Sequence, residues 1–419
     1  MKILHLADLH IGKKLGGLSL LATDQPCWAA QLLELARRER PQAIVIAGDL
    51  YDRGSPSGEA VEFAGNLLAE LTALPGGPAV IAVAGNHDSG PLVSYLGPVL
   101  RRQNLYMTGP AERELRPVTL TDEYGPVDFW PLPYLFPAEI NRLLGDTDYR
   151  DYDTAYRAYL GAQPVDFSRR NVAVAHQNVL AFGKEAERGG SETMVGGIGG
   201  IDYTVFDGFE YAALGHIHAA QAMGRETVRY AGSPLCYHFN ELRQPKKGPV
   251  LLELGPKGTE PEITICELAP LHPLREVRGT LAEIEAAEAR CPGKNEYLRA
   301  VLRPEPSPDG LPAFTGDEAD RLRALFAANG SRLLELFYEY DTGRLPERGE
   351  SERAAERPME ERFAAFWTER RGDAPDERSL QLLHFIAEQQ RHAPAGEPVT
   401  EEELDAIIDF AIKQEGEQL

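Results

Sequence analysis

The sequence predicts an α/β fold: a layered-sheet domain, then a smaller α/β unit, then a helical tail. Three observations carry this. Short apolar runs rich in β-branched residues recur through the first half of the chain, as strands buried on both faces do. Segments with helical spacing lie between them, which is the alternation of an α/β domain. A charged stretch containing Pro and Gly, residues 343–358, then separates the tail from the rest.

Taken in order, Ile3 to Ala7 is the first run and Ala43 to Gly48 the second. The third spans Ala79 to Gly85, the fourth Val172 to Ala175 and the fifth Tyr211 to Gly215. Trp28, Leu32, Leu35 and Ala36 mark a helix between the first two runs, and Val61, Ala64, Leu68 and Leu71 mark one between the next two. Beyond residue 270 the pattern changes to a small βαβαβ unit. Its strands are expected near Leu274–Val277, Tyr297–Leu302 and Leu333–Phe337, and its helices at Leu281–Arg290 and about Asp317–Ala328. Three amphipathic helices follow, marked by Met359, Phe363, Phe366 and Trp367, by Leu382, Leu383, Phe385 and Ile386, and by Leu404, Ile407, Ile408 and Ala411. The expected boundaries are therefore 1–270, 271–342, a linker at 343–358 and a helical segment at 359–419.

The chain has 419 residues, 43% hydrophobic and 26% charged, an ordinary globular composition. No run is long enough to span a membrane, and the N-terminus lacks the apolar core of a signal peptide. Cys27, Cys236, Cys266 and Cys291 are scattered, with neither zinc-site nor disulfide spacing. A reduced, cytoplasmic setting is expected. The net charge of −22 argues against tight binding of a polyanion by this chain alone. Residues 341–419 hold 20 acidic and 10 basic residues of it, so nearly half the excess lies in the tail.

Each of the five runs ends at a residue able to bind metal. These are Asp8 with His10, Asp49, Asn86 followed by His87 and Asp88, His176, and His216 with His218. In open α/β sheets ligands bind beyond the carboxyl ends of the strands, so five chain segments are expected to converge there. Asp8-x-His10 and His216-x-His218 each place two donors on one side of an extended segment. Gly48, Gly85 and Gly215 precede ligands, where the missing Cβ allows close approach. The mixed O/N donor set suits Mn²⁺, Fe²⁺ or Zn²⁺, and the lack of thiolates argues against a structural zinc site. Seven donors exceed the need of one ion, so two ions sharing a carboxylate are expected. Such a pair activates water and clamps both oxygens of an in-line phosphoryl displacement. His5 and His238 are expected to be structural, Arg53 a solvated loop residue, and the Gly-rich segment 189–200 a loop near the site.

Asp8-Leu9-His10, Gly48-Asp49, Gly85-Asn86-His87-Asp88, His176 and Gly215-His216-Ile217-His218 resemble the calcineurin-like metallophosphoesterase superfamily. Ala7-to-Gly12, Gly48-to-Arg53, Leu214-to-His218 and Tyr230-Ala231-Gly232-Ser233-Pro234-Leu235 resemble more narrowly its MRN-type nuclease family. The resemblance runs strongly from Met1 to Leu254. It implies a two-sheet α/β/β/α sandwich as a nuclease domain at 1–270, a capping domain at 271–342 and a tail that docks on an ATPase coiled coil, the alternative for the tail being to pack back on the chain's own core. It further implies one ion on Asp8, His10, Asp49 and His218, and a second on Asp49, Asn86, His176 and His216, with Mn²⁺ preferred. His87 would be the catalytic residue that gives a proton to the leaving alkoxide or stabilises it, and Asp88 would either hold its imidazole or cap a helix or turn. Family members act as double-strand 3'-5' exonucleases and as endonucleases on single strands and hairpins. They work with an SbcC-type ATPase, as homodimers within heterotetramers. A small-substrate phosphodiesterase on the same site is the alternative, which the added cap and tail count against. A scaffold that only positions DNA ends is a third reading, which the intact donor set and His87 count against.

Overall fold

The computed structural model describes residues 1–145, 147–181, 186–188, 199–244, 246–306, 312–313, 316–339 and 375. The expected linker, the tail helices and most of the glycine-rich loop lie outside the described residues. Met1–Glu339 form one compact unit.

The chain opens with β1 (Lys2–Leu6), α1 (Asp24–Glu39), β2 (Ala43–Ala47), α2 (Gly58–Thr72), β3 (Ala79–Val83) and β4 (Leu105–Thr108). It continues with β5 (Val118–Asp122), β6 (Gly125–Leu132), α3 (Pro137–Leu144), α4 (Tyr152–Gly161), β7 (Arg170–His176), β8 (Tyr211–Gly215), β9 (Gln221–Met223) and β10 (Arg225–Tyr230). Two strands then return, β11 (Val250–Glu253) and β12 (Glu262–Ile265). The first sheet has the order β12-β11-β1-β2-β3-β4 and the second β9-β10-β8-β7-β6-β5. The central strands of each are parallel, with antiparallel strands at one edge of the first sheet and at both edges of the second.

Strand periodicity sorts the apolar side chains into layers. Ile3, Val45, Ala47, Ile81 and Val83 meet Val127, Phe129, Val172, Val174 and Ala213 between the sheets. The alternate residues Leu4, Leu6, Ile44, Ile46, Val80 and Ala82 face outward onto Trp28, Leu32, Ala36, Ala64 and Leu68 of the first two helices. On the other side, Trp130, Leu132, Ala173, Ala175, Ala212 and Leu214 pack on Ile140, Tyr156 and Tyr159. The result is the α/β/β/α sandwich. Because both faces of each central strand are covered, β2 and β3 are buried at every position, which is why they read as unbroken apolar runs.

Trp28, Leu32, Leu35 and Ala36 are all buried in α1. In α2 the stripe needs one correction. Ala60, Ala64, Leu67, Leu68 and Leu71 face the core, and Val61, one position round the helix, is exposed. Ser57 sets the start of α2 by accepting from the Ala60 N–H at 3.3 Å.

Beyond the sandwich come β13 (Leu274–Gly279), α5 (Leu281–Arg290), β14 (Tyr297–Leu302), α6 (Glu318–Ala327) and β15 (Arg332–Tyr338). The strands are parallel in the order β13-β14-β15. Thr280 and Glu283 form a capping box at the head of α5. Leu281, Ile284, Leu298, Leu302, Leu322 and Phe326 make a separate small core. Two polar contacts fix this unit to α1: the Tyr297 hydroxyl and the His272 ring both reach Asp24. Among the described residues no helix is long and apolar enough to cross a membrane, and all four cysteines are free thiols.

Candidate metal centre

β1, β2 and β3 are neighbours in the first sheet, as are β7 and β8 in the second, so their carboxyl ends open at one place. Asp8 and His10 follow β1, Asp49 follows β2, Asn86 follows β3, His176 ends β7, and His216 and His218 follow β8. The backbone that delivers them departs from the sequence expectation. Asp8 (φ 52°), His10 (φ 42°), Asp49 (φ 50°) and His216 (φ 107°) lie in the left-handed region, so neither Asp-x-His nor His-x-His is an extended pair. Non-glycine residues adopt this region only where tertiary structure over-determines it. The restraint here is a ladder of loop hydrogen bonds, Asp8 N–H to the Gly48 carbonyl and His10 N–H to the Asp49 carbonyl.

The seven donors come together in two linked groups. Nε2 of His10 lies 3.1 Å from Nε2 of His218, and ligand atoms of Asp8, His10 and His218 fall within 4.8 Å of one another. Asp8, Asp49 and His176 form a second such group. Nε2 of His176 and Nδ1 of His216 each stand 2.9 Å from Oδ1 of Asn86. Oδ2 of Asp49 lies between the groups, 3.6 Å from His10 Nε2 and 3.5 Å from His176 Nε2. Asp8, His10, Asp49, His176 and His218 are at most 2% exposed.

Burial pushes His10, His176 and His216 below the ordinary histidine range, with neighbouring imidazoles adding to the shift. They are therefore neutral, the form that binds metal. Two imidazole nitrogens at 3.1 Å must share a proton or a cation. The buried carboxylates, neutral imidazoles and amide oxygen fit divalent ions of the Mn²⁺, Fe²⁺ or Zn²⁺ type.

The glycines before the ligands do allow close approach, and the approaching groups belong to the protein itself. A Cβ on Gly48 would fall 2.1 Å from Nδ1 of His176, and one on Gly85 would fall 2.1 Å from Oδ1 of Asp49. What approaches Gly48 and Gly85 is another ligand's side chain, whereas Gly215 faces the Ala47 backbone carbonyl.

His87 stands at the rim of the group. Its Nδ1 is 3.0 Å from the Asp52 carbonyl; a carbonyl only accepts, so Nδ1 carries the proton and Nε2 is the nitrogen left to exchange one. Asp88 does not hold that imidazole. Its carboxylate accepts from the backbone N–H groups of Leu50, Tyr51 and Gly85. It thus ties the turn after β3 to the turn after β2, which makes its role positional. Burial, and then the charge of Asp49, raise its pKa to about 7, against the pull of those amides.

The sequence reading missed Glu241. This residue is fully buried, with Oε1 3.2 Å from Nδ1 of His218 and Oε2 2.6 Å from Lys247 Nζ. Burial favours its protonated form, yet the His218 hydrogen bond and the Lys247 charge outweigh it and bring the pKa down to about 2. Arg53 is exposed beside Asp52. His5 is buried in the sandwich against Tyr211 and Leu214, and Nδ1 of His238 accepts from the Asn240 N–H in a short 3₁₀ turn.

The calcineurin-like phosphoesterase profile matches residues 1–220, more than half of the chain. The chain belongs to the calcineurin-like phosphoesterase family. Within it, the chain falls in the SbcD branch. It is 30% identical over 304 residues to the SbcD component of the nuclease SbcCD from Staphylococcus epidermidis, covering 72% of this chain and 79% of that protein. The corresponding protein from Staphylococcus saprophyticus is 29% identical over 306 residues, 72% of this chain and 78% of that one. Among solved structures, the phosphoesterase Yfce of E. coli aligns at a TM-score of 0.24 and 15% identity, over 60% of this chain and 88% of that one. That likeness is too slight to add to the assignment. Members of this phosphoesterase family use divalent metals, and the clustered His and Asp donors here supply candidate ligands.

Proposed function

We propose that this chain is the nuclease subunit of an SbcCD-type complex, hydrolysing DNA phosphodiester bonds at a two-metal centre. The observation that carries the proposal is the convergence of seven donors from five strand ends around Asp49, with His87 at their rim. Asp8, His10, Asp49 and His218 would hold one ion. Asp49, Asn86, His176 and His216 would hold the other, with Asp49 bridging and Mn²⁺ the preferred metal. Bound in this way, the ions supply Lewis acidity and an activated water. The remaining work falls to the protein. The Asp52 carbonyl keeps the His87 ring turned with Nδ1–H towards it, so that Nε2, once the ring is doubly protonated, can give that second proton to the leaving oxygen, a role worth about 10²–10⁴-fold. Asp88 keeps the Asn86–His87 turn against the Asp49 turn.

The substrate range in this reading is that of the family: duplex ends cut 3' to 5', and single strands or hairpins opened internally. The chain acts in the cytoplasm as a homodimer with an SbcC-type ATPase, which supplies the DNA grip that a net charge of −22 withholds. Residues 359–419, expected from the sequence to be helical, would be the docking element for that partner.

The test is Mn²⁺-dependent cleavage of a linear duplex, with and without the co-purified ATPase. His87→Ala should bind two Mn²⁺ and cut far more slowly, whereas His176→Ala should lose one ion. Equal metal loss in both variants contradicts the role of His87. Turnover of a small aryl phosphodiester without any DNA cleavage refutes the nuclease reading.

A further inference from the structure

We infer that Glu241, braced by Lys247, is a positioning residue that fixes the ring of His218 and strengthens the binding of one of the two metal ions over the other. The inference rests on the two-metal reading above and deepens it.

Hydrogen-bond chemistry assigns the tautomer of His218. Its Nδ1 is 3.2 Å from Oε1 of Glu241, and an ionised carboxylate can only accept. Nδ1 must then carry the proton, and Nε2, which faces His10 at 3.1 Å, presents its lone pair. A carboxylate behind a ligating imidazole sets the tautomer, holds the ring plane and makes the nitrogen a stronger donor.

A fully buried carboxylate needs compensation, and Lys247 provides it. Its ammonium group shares its three N–H donors among four acceptors, Glu241 Oε2 at 2.6 Å, the His218 carbonyl at 2.8 Å, Gln244 Oε1 at 2.9 Å and Ser233 Oγ at 3.0 Å. The Tyr237 N–H adds a further bond to Glu241 Oε2 at 3.2 Å. Ser233 in turn donates its backbone N–H to the His218 carbonyl. The Gly232-Ser233-Pro234 turn, conspicuous in the sequence, therefore has a function: it anchors the His218 loop and the Lys247 ammonium together.

The second group of donors is built otherwise. Nδ1 of His176 is held by the Ala47 backbone carbonyl at 2.8 Å, a neutral partner. Nδ1 of His216 faces Asn86. A charged partner stands behind His218 and a neutral one behind His176, so the two ions are not equivalent. Electron donation from Glu241 reaches the ion on Asp8, His10 and His218.

The test is a metal titration of the full chain, with Mn²⁺ as the probe and the coupled two-ion electron paramagnetic resonance signal as a second readout. Glu241→Gln should weaken one Mn²⁺ by on the order of 10–100-fold and leave the other unchanged. The coupled signal should give way to that of a lone ion, and the ion lost should be the one lost in His218→Ala. Two tightly bound, coupled ions in Glu241→Gln would overturn the inference while leaving the two-metal reading intact. Failure of the unmodified chain to bind two Mn²⁺ would instead sink that reading. A measurement without substitution guards against misfolding of the variant. In nitrogen-15 spectra of the metal-free chain, His218 should carry its proton on Nδ1, and a proton on Nε2 would refute the assignment.

Discussion

Gly85→Ala tests the packing of the metal centre most directly, because the substituted atom is not itself a ligand. The added Cβ would lie 2.1 Å from Oδ1 of Asp49 and 2.4 Å from its backbone nitrogen, where an ordinary contact begins at 3.4 Å. Rotating the side chain gives no relief, since the backbone nitrogen is in the way as well. Either the Asp49 turn or the Asn86 turn must therefore move by on the order of 1 Å, and a misplacement of that size costs about 100-fold in rate. The same oxygen of Asp49 accepts from the His87 N–H at 2.9 Å, so the shift carries through to the proposed proton donor. Mn²⁺-dependent cleavage of a linear duplex by the assembled complex measures the rate, and a metal titration reports whether both ions still bind. Gly65→Ala is the control. That glycine lies in α2 with nothing within 4 Å of the new atom, and the change should stabilise the helix by roughly 0.5–1 kcal/mol with activity unchanged. Gly85→Ala activity within threefold of the parent, with both ions bound, would show that the strand ends are not packed as described.

Three further predictions concern stability. Asp88→Ala should destabilise the chain by about 1–3 kcal/mol for each backbone amide left unsatisfied, read by denaturant unfolding; lost cleavage with unchanged stability would return Asp88 to a chemical role. His5 is buried, and burial takes its pKa down from 6.5 to about 3. Its contribution to stability is therefore present above pH 6.5 and lost as pH falls toward 3, at roughly 1.4 kcal/mol per pH unit. His5→Leu should flatten the unfolding free energy over that range, and parallel pH profiles would rule the assignment out. Asp122 pairs with Arg170 and with the N-terminal ammonium group, all nearly inaccessible, which holds its pKa below the ordinary 3.8 against the opposing effect of burial. That stability is present above pH 3.8 and lost as pH falls below it. Asp122→Asn should cost about 3–5 kcal/mol at neutral pH by leaving two buried cations short of their counter-charge, and a loss under 1 kcal/mol would contradict the geometry.

The sandwich was legible because its strands are covered on both faces. β2 and β3 are apolar at every position and stop where the chain leaves the sheet, so the ligands that follow stand out. What remained hidden was set by tertiary contact. Glu241 follows His218 by 23 residues and sits in a 3₁₀ turn with no periodicity to mark it; only the return of the chain along the Gly232-Ser233-Pro234 turn brings it behind the ring. Asp88 adjoins His87 in sequence, which left two roles open, holding the imidazole or capping a turn; only the backbone N–H groups of Leu50, Tyr51 and Gly85 that meet its carboxylate decide for the turn. The left-handed backbone at Asp8 and His10 had no glycine to announce it. The Asp52 carbonyl that orients His87 is backbone and leaves no trace in the residue type.

The arrangement of charge around the centre ties these particulars to the proposed chemistry. The seven donors include only two carboxylates, Asp8 and Asp49. Burial keeps His10, His176 and His216 neutral. Of the other acidic groups nearby, Asp52 is matched by Lys13 at 2.9 Å and Glu241 by Lys247 at 2.6 Å, while Asp88 is held by three backbone N–H groups. Two divalent ions in this set would retain an excess of about two positive charges, directed at a phosphodiester whose negative charge grows during in-line displacement. A third ligating carboxylate would erode that excess. Placing the extra carboxylate behind His218, and cancelling its charge with Lys247, would let the protein strengthen one proposed metal ligand without weakening the field that the transition state meets.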